Sequence, residues 1–385
     1  MKITTTLFGD LAFLPFQADA PMTENMSFLT DVQTAQDSTE ERVQLRTAPR
    51  HTLSYTMPLQ AWQVMQAFNT EYQALRLKWA IPLWYEWQFV GTVNAAASSI
   101  ACDTTVFDFR PSSLALLYTD ADTWQIVEIS TMTSSAVSVS NTLISQQNCF
   151  IMPIRLGWIA DNVSSSFNGF ISTESMDFEI NDDEYLEPSA PAQYLGDDIY
   201  FKAPISGHSF MTRTIQSRVD KVDYGLGVID RLSPWKNSRY ATPYASLLKT
   251  PTEIRDYRNF LYRRAGRYRH FWMPTFERNL RLVTTGNITT TIVIKNDGYN
   301  DWTRRSNIAI QHINGTWTTN TLSAPTIVAL GNIQLTLGTS LGYDASLIRN
   351  MCYLGLYRFD NDSIDMNWIG NSIVQSSVNI VELTP

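Results

Sequence analysis

The chain has 385 residues, which is enough for two or three domains. Its formal net charge of -8 and its 17% of charged residues argue against a general binder of nucleic acid or anionic membranes. Three cysteines without CxxC spacing and four scattered histidines predict buried free thiols and no disulfide framework, zinc site or other metal site. No apolar run reaches the length of a membrane helix.

The N-terminal stretch imitates a secretory signal. An apolar run covers residues 11–16, but Asp10 and Pro15 break it, and Pro21 would follow the apparent cleavage point. We therefore expect this stretch to belong to the protein. Residues 1–45 lack strong periodicity, and we interpret them as an N-terminal arm that packs on something, for example a neighbouring subunit.

Several motifs occur twice in the same order and at nearly constant spacing. The matched pairs are Pro58 and Pro251, Pro82 and Pro274, Trp124 and Trp317, Cys149 and Cys352, and Glu179 and Glu382. The spacing increases once, which predicts an insertion near Ser323 to Leu341. This collinearity predicts two tandem copies of one β-rich unit, repeat 1 at residues 46–184 and repeat 2 at residues 216–385. A Pro/Ala-containing linker with short strands, residues 185–215, joins them.

Each predicted copy contains one prominent helix. In the second copy, Thr250 is a natural N-cap, Glu253 completes a capping box and Gly266 is a plausible stop. Apolar residues recur there at helical spacing: Ile254, Tyr257, Leu261 and Ala265. The first copy shows a similar stripe: Trp62, Met65, Phe68, Tyr72 and Leu75.

The rest of each copy alternates Thr/Val/Ile-rich runs with turn residues, as in residues 288–298. The predicted fold class is therefore mainly β with some α (β+α): two tandem copies of an antiparallel β barrel or sandwich, each with one helix.

A basic and aromatic cluster begins within the helix of the second copy and continues beyond it. Its arginines are Arg255, Arg258, Arg263, Arg264, Arg267 and Arg269, and Trp272 comes next. Such a cluster could contact phosphate or DNA, hold an anion, meet an acidic partner, or pair within the chain. The chain has its own acids at residues 182–184 and 197–198, is acidic overall, and lacks a matching cluster in the first copy. An interface or pairing within the chain is therefore favoured.

Enzyme signals are weak. Asp177, Glu179 and the acids at 182–184 could form the carboxylate pair of a glycosidase, but Glu179 matches Glu382 at a strand end, which favours an architectural role. No GxSxG motif and no Cys/His pairing is evident, and Gly225 to Gly227 lacks the third glycine of a phosphate loop. We predict no catalytic, cofactor-binding or metal-binding residues.

Two motifs resemble those of tail-tip proteins in long-tailed bacteriophages. In that group a helix ending in an arginine–glycine pair leads into an aromatic–proline strand, as residues 262–276 do here. Residues 82–86 resemble the sister motif, and residues 194–196 and 218–220 also resemble that group. The resemblance touches most of residues 50–385.

The resemblance implies a minor structural protein of the distal-tail or baseplate-hub type. Such a protein forms a ring, here of three or six chains, and its partners are the tail tube protein, the baseplate hub and the fibre proteins. The expected location is the virion tail tip, after assembly in the host bacterial cytoplasm, without membrane, nucleic acid or cofactor. The predicted interface candidates are Trp84, Trp87, Arg255, Arg258, Arg263, Arg264, Arg267, Arg269 and Trp272.

Two alternatives stay open. A receptor- or carbohydrate-binding tail protein would use exposed tryptophans, and an enzyme would cleave cell-wall or capsule sugar. Trp84, Trp87 and Phe89 are expected in a core or an interface in preference to a ligand cage.

Overall fold

A computed structural model describes residues 3–74, 76–160, 163–168, 171–181, 188–205, 212–235, 238–298, 305–323, 325–329 and 331–383. Strands make up 54% of the structure and helices 8%, and nearly all strand pairs are antiparallel, so the prediction of a mainly β fold is confirmed. Two α-helices lie in these ranges, α1 at Ala61–Ala74 and α2 at Pro251–Arg264.

The first half of the chain, up to residue 181, contains strands β1 to β15. Many of them alternate buried and exposed side chains, as strands of one-sided sheets do. Their bounds are β1 Ile3–Thr6, β2 Gly9–Ala12, β3 Asp19–Ser27, β4 Thr30–Thr34, β5 Glu40–Gln44, β6 Arg50–Gln60, β7 Lys78–Pro82, β8 Gln88–Val93, β9 Ser99–Ala101, β10 Ser113–Tyr118, β11 Trp124–Thr133, β12 Ala136–Val139, β13 Gln146–Ile159, β14 Ser164–Asn168 and β15 Ile171–Ile180.

The second half, from residue 188, contains strands β16 to β32. A 3-10 turn at Ala345–Leu347 separates β29 from β30. The strand bounds are β16 Gln193–Tyr194, β17 Asp197–Asp198, β18 Thr214–Gln216, β19 Asp220–Val222, β20 Asp230–Leu232, β21 Arg239–Leu248, β22 Phe271–Pro274, β23 Asn287–Ile288, β24 Thr291–Lys295, β25 Asn307–His312, β26 Trp317–Thr321, β27 Thr326–Ala329, β28 Asn332–Thr336, β29 Tyr343–Asp344, β30 Ile348–Phe359, β31 Ser363–Gly370 and β32 Ile373–Glu382.

Helix α2 begins and ends where the sequence predicts. The Thr250 hydroxyl accepts a hydrogen bond from the Glu253 backbone N–H at 3.2 Å. The Glu253 carboxylate, however, accepts from the N–H of Lys249 at 2.8 Å, one residue before the N–H that a capping box uses. At the other end, Ala265 adopts the left-handed conformation and Gly266 follows it.

Helix α1 forms where the stripe predicts it, but it turns the large apolar side chains of that stripe outward. Its larger apolar side chains are Trp62 (50% exposed), Met65 (59%), Phe68 (56%) and Tyr72 (81%). Leu75 lies outside the described residues. The buried side chains of α1 include Ala67, Thr70 and Ala74, whose small size lets the helix lie close to the sheet.

The same order of strand pairing occurs in both halves. In the first half, β6 pairs with β15, β15 with β13, and β13 with both β7 and β10. In the second half, β21 pairs with β32, β32 with β30, and β30 with both β22 and β25. Each half also begins with a short hairpin, β1–β2 or β16–β17. That two copies of one unit underlie this likeness stays a prediction.

Two of the matched motifs occupy corresponding places in these ladders. Pro82 ends β7 beside β13, and Pro274 ends β22 beside β30. Trp124 and Trp317 each start the second strand of a hairpin, β10–β11 or β25–β26. The interval predicted to hold an insertion contains the hairpin of β27 and β28.

Two other matches are wrong. Pro58 lies inside β6, whereas Pro251 is the first residue of α2. Cys149 pairs with strand β8, whereas Cys352 pairs with β25. The pairing of β13 with β8 shifts register at Cys149, and residue identities alone cannot reveal such an irregularity.

Residues 1–45 form part of the folded body, so the prediction of an arm is wrong. Strand β2 pairs in parallel with β7, and β3 lies between β6 and β31. Strand β3 therefore joins the ladders of the two halves into one sheet. Its buried row is Met22, Glu24 and Met26, and the central carboxylate hides the two-residue hydrophobic period that would have indicated a strand.

Part of the predicted linker packs on the second half. Strands β16 and β17 form a hairpin, and Ile199 makes a parallel bridge with Trp272. The ring of Tyr200 stacks on Phe260 of α2, with 4.6 Å between centroids. Residues 182–187 and 206–211 lie outside the described residues.

The largest hydrophobic core draws side chains from both halves, for example Phe13, Tyr85, Tyr257 and Trp368. Smaller cores lie within each half. The three cysteines are free and buried, as predicted: Cys102, Cys149 and Cys352. Among the described residues, neither helix is long and apolar enough to cross a membrane.

Candidate interface residues

Arg263 and Arg264 bind the same carboxylate within the chain. Arg263 donates to both oxygens of Asp198, at 2.7 and 2.9 Å, and Arg264 donates to Oδ2. Asp198 is fully buried. Burial by itself would raise the pKa of Asp198, but hydrogen bonds from Arg263 and Gln193 and the charge of Arg264 outweigh it and lower the pKa below its usual value. Of the uses left open for these two arginines, the structure shows pairing within the chain.

Arg258 occupies a buried site that connects the two halves. It donates to Glu24 of β3 at 2.7 Å and to Glu86, which follows β7. Its guanidinium also lies over the rings of Tyr85 and Trp368, 5.9 and 5.3 Å from their centroids. Trp368 of β31 donates its indole N–H to the same Glu24 at 3.1 Å. Removal of one partner from such a buried pair leaves an uncompensated charge in the interior.

Further charged groups surround that site. The Asp108 carboxylate accepts a hydrogen bond from Arg155 at 2.5 Å, and the backbone N–H of Asp108 donates to Glu86 at 2.7 Å. Burial would raise the pKa of Asp108, but the charges of Arg155 and Arg110 lower it. Burial lowers the pKa of the nearby His51 to about 4, so His51 is neutral at pH 7.

The remaining arginines of the cluster lie nearer the surface. Arg267 donates to Asp362 at 3.3 Å and to the Thr30 carbonyl at 2.9 Å. Arg255 is half-buried, and Arg269 is exposed. Arg255 and Arg269 are thus the arginines of this cluster that keep the most room for a partner.

The tryptophans among the candidates are mostly interior residues. Trp84 and Trp272 are buried, at 4% and 6% exposure, and Trp87 is half-buried. Trp84 meets Tyr118 edge-on at 5.1 Å, and Trp87 meets Phe150 edge-on at 5.0 Å. Four of the interface candidates are buried within the chain and present no surface to a partner: Trp84, Trp272, Arg258 and Arg264.

Sequence reasoning named residues 197–198 as possible partners of the cluster, but it missed the acids that bind Arg258 and two arginines outside the cluster. Glu24 and Glu86 bind Arg258, and Glu40 binds both Arg239 and Arg358, at 2.5 and 2.8 Å. The partners lie far apart along the chain, so no local motif links them. A carboxylate between two methionines two residues away, as in β3, is the signal that could have identified Glu24.

The two described acids considered for glycoside cleavage share the exposed face of β15, unlike the residue matched to one of them. Asp177 and Glu179 are exposed on β15, whereas Glu382 is buried. The acids at 182–184 lie outside the described residues. In the described part of the chain, no group of three or more His, Cys, Asp and Glu side chains could hold a metal ion.

An exposed apolar surface, which sequence reasoning did not identify, lies on the first half. Phe68 and Tyr72 of α1 stack on each other with 6.2 Å between ring centroids, and Met65 lies one turn before Phe68. On the neighbouring hairpin, Phe167 of β14 is 75% exposed. We call these four residues the α1–β14 surface. Exposed aromatic and methionine side chains in one patch are typical of protein-binding surfaces.

No protein-family model matches the chain, and no curated protein matches its sequence.

Proposed function

We propose that this protein is a structural subunit of the tail tip of a long-tailed bacteriophage. It assembles with copies of itself into a ring that connects the tail tube to the baseplate hub and fibres. Its role is to hold neighbours in place, and it catalyses no reaction. The family assignment rests on the motifs at residues 82–86 and 262–276.

The single observation that best supports a self-assembling subunit is the α1–β14 surface. Met65, Phe68, Tyr72 and Phe167 are each more than half exposed. A helix of a soluble domain usually turns its large apolar side chains toward the core, so the outward stripe of α1 needs a partner to cover it.

The buried ion pairs support a rigid scaffold. Arg258, Glu24 and Glu86 come from three distant parts of the chain and meet in the interior. A charge network of this kind fixes how the two halves meet, because any shift would separate buried charges. Rigid relative placement of two β-rich halves suits a ring component.

A carbohydrate-binding tail protein is the second candidate, and Trp62 is the observation that favours it. Trp62 is 50% exposed beside the aromatic side chains of α1. Binding of the purified chain on a glycan array, lost in Trp62→Ala, would favour this candidate over the structural role.

The number and position of this chain in intact phage particles test the proposal. We expect three or six copies at the tail tip, measured by quantitative mass spectrometry of purified virions and located by cryo-electron microscopy. Absence from the particle, or a single copy located away from the tail tip, would contradict the proposal.

A further inference from the structure

Among the described strands, one pair joins the two halves of the chain, β3 with β31. Asn25 lies opposite Asp365 and donates to its carboxylate at 2.6 Å, and Met26 lies opposite Ile364. The row of side chains on the covered face of this pair is buried to at least 95%: Met22, Glu24, Met26, Ile364, Met366 and Trp368. We call this contact the internal junction.

Helix α2 completes the internal junction. Its residues Arg258 and Tyr262 contact the first half: Arg258 binds Glu24, and the Tyr262 hydroxyl lies 3.3 Å from Nε2 of His51. The second half therefore presents β31 and one face of α2, and the first half contacts them with β3 and β6.

Each half has a strand that corresponds to β3 and a strand that corresponds to β31. In the first half, β14 pairs with β15 as β31 pairs with β32 in the second. Strand β18 pairs with β21 as β3 pairs with β6. Among the described residues, β14 and β18 have no second partner strand, so each leaves one edge open.

The open strands carry exposed apolar side chains where the internal junction has buried ones. Alignment of the halves through their ladders places Phe167 at the position of Trp368, and Ile215 at that of Met26. Trp368 is 1% exposed but Phe167 is 75% exposed. Met26 is fully buried but Ile215 is 61% exposed.

The outward face of α1 fits the same correspondence. The two helices have the same length, and their alignment places Phe68 at Arg258 and Tyr72 at Tyr262. Arg258 and Tyr262 are 5% and 8% exposed because the first half covers them. Phe68 and Tyr72 have no such cover within the described chain, at 56% and 81% exposure.

We propose that a second copy of this chain covers the α1–β14 surface, and that its strand β18 pairs antiparallel with β14 as β3 pairs with β31. Ser164 then lies opposite Thr214 of the second copy, as Asp365 lies opposite Asn25 within one chain. The inference rests on the proposed self-assembling role and names the surfaces that carry it.

The chemistry of the two surfaces is complementary. Arg213, which precedes β18, takes the position of Glu24. It pairs with the exposed Glu277 at 2.6 Å, and its guanidinium lies over the ring of Tyr240, 5.0 Å from its centroid. On the opposing surface, the rings of Phe68 and Tyr72 offer faces to a guanidinium. Exposed strand edges are also the usual site of pairing between chains.

This contact is head-to-tail, because β14 and β18 belong to different halves and neither is its own partner. A head-to-tail contact forms a closed ring when the rotation between neighbouring chains is a whole fraction of 360°, and it otherwise forms a helical filament. If the contact between chains has the geometry of the internal junction, every half makes the same two contacts with its neighbours. A ring of three chains then contains six halves in similar positions.

A disulfide between chains tests the proposed strand pair. In the full chain, Ser164→Cys with Thr214→Cys should form covalently linked multimers on oxidation, because opposite residues of antiparallel strands lie within disulfide range. The matched control is Asn25→Cys with Asp365→Cys, which should form a disulfide inside one chain and leave its mass unchanged. Each single cysteine variant should stay unlinked.

The helix face has its own test by light scattering after size exclusion. Phe68→Glu with Tyr72→Glu should reduce the multimer to the mass of one chain. Ile327→Glu, at a hairpin position that is also 70% exposed, should leave the multimer intact. Unchanged circular dichroism of each variant verifies that its fold persists.

The outcomes separate this inference from the proposed function. A multimer that persists in the Phe68/Tyr72 variant, or that lacks the Ser164–Thr214 disulfide while the control disulfide forms, would place the interface elsewhere and overturn this inference alone. A wild-type chain that stays monomeric both in solution and in the assembled virion would overturn both.

Discussion

At the scale of single residues, one buried carboxylate holds the end of α2. Asp198 binds both Arg263 and Arg264, and Asp198→Asn would leave the two guanidinium groups without this carboxylate. We expect this change to lower the free energy of unfolding by about 3 kcal/mol, measured by urea denaturation. Because the pKa of Asp198 is lowered in the folded state, the effect should shrink as the pH falls below about 4.

The neighbouring acid is the matched control. Asp197 contacts His270 at 2.9 Å, and both side chains are about a third exposed. Asp197→Asn should therefore change the free energy of unfolding by less than about 1 kcal/mol. Equal losses in the two variants would show that the paired charge of Asp198 is not what matters.

His51 should make stability depend on pH. Burial lowers the pKa of His51 to about 4, whereas an unfolded histidine titrates near pH ~6.5. Between these values the unfolded chain binds the additional proton, so stability falls as the pH drops from about 6.5 to 4, by roughly 3 kcal/mol. The difference in unfolding free energy between the wild type and His51→Gln should change by that amount over this range.

Tyr262→Phe is the control for His51, since it removes the hydroxyl near the imidazole but keeps the histidine. It should retain the pH dependence of the wild type. A constant difference between the wild type and His51→Gln across the range would rule out a neutral, buried imidazole.

At the scale of elements, the end of α2 is fitted closely to a neighbouring loop. Gly266 has a φ of +66°, and a Cβ there would lie 2.4 Å from the Asp362 carboxylate and 2.9 Å from Cβ of Phe28. Asp362 also accepts from the backbone N–H groups of Thr30 and Arg267, at 2.8 and 2.9 Å. Glycine is required here both for its backbone conformation and for space.

We expect Gly266→Ala to lower the free energy of unfolding by about 3 kcal/mol, because it adds a clash to the cost of a left-handed backbone. Gly286→Ala isolates that conformational cost, since Gly286 has a φ of +79° and open space around it. This variant should lower the free energy of unfolding by about 1 kcal/mol. Denaturant unfolding of both variants gives the comparison, and equal losses would argue against the close contact.

At the scale of the whole molecule, β3 holds the two halves together. Deletion of residues 1–45 removes this strand and exposes the edges of β6 and β31. We expect the truncated chain to lose its near-ultraviolet circular dichroism signal and its cooperative urea transition, because the shared core loses one wall. A truncated chain that unfolds like the wild type would show that the halves need no joining strand.

The hairpin of β19 and β20 provides the control for this deletion. All residues of these two strands are exposed. Replacement of residues 220–232 by a short Gly/Ser linker should change the free energy of unfolding by less than about 1 kcal/mol. The contrast would show that loss of an exposed hairpin leaves the fold intact, whereas loss of the buried strand β3 does not.

Local patterns determined much of the fold. The two-residue and 3.6-residue periods predicted strands and two helices, because backbone geometry imposes those periods wherever one face is buried. Thr250 and Gly266 predicted the bounds of α2, because capping depends only on groups a few residues apart. The recurrence of Pro82 and Pro274, and of Trp124 and Trp317, indicated corresponding strands.

Only the tertiary structure decided which apolar face is covered and which charge meets which. The stripe of α1 and that of α2 have the same period, yet Phe68 faces outward, because a helical period does not say which side meets the sheet. The fold brings Arg258 to Glu24, more than two hundred residues away in the sequence, and to Glu86. It also selects Asp198 for Arg264 from several acids in the sequence. Periodicity and capping act within a few residues, whereas burial and ion pairing depend on distances that exist only after the chain has folded.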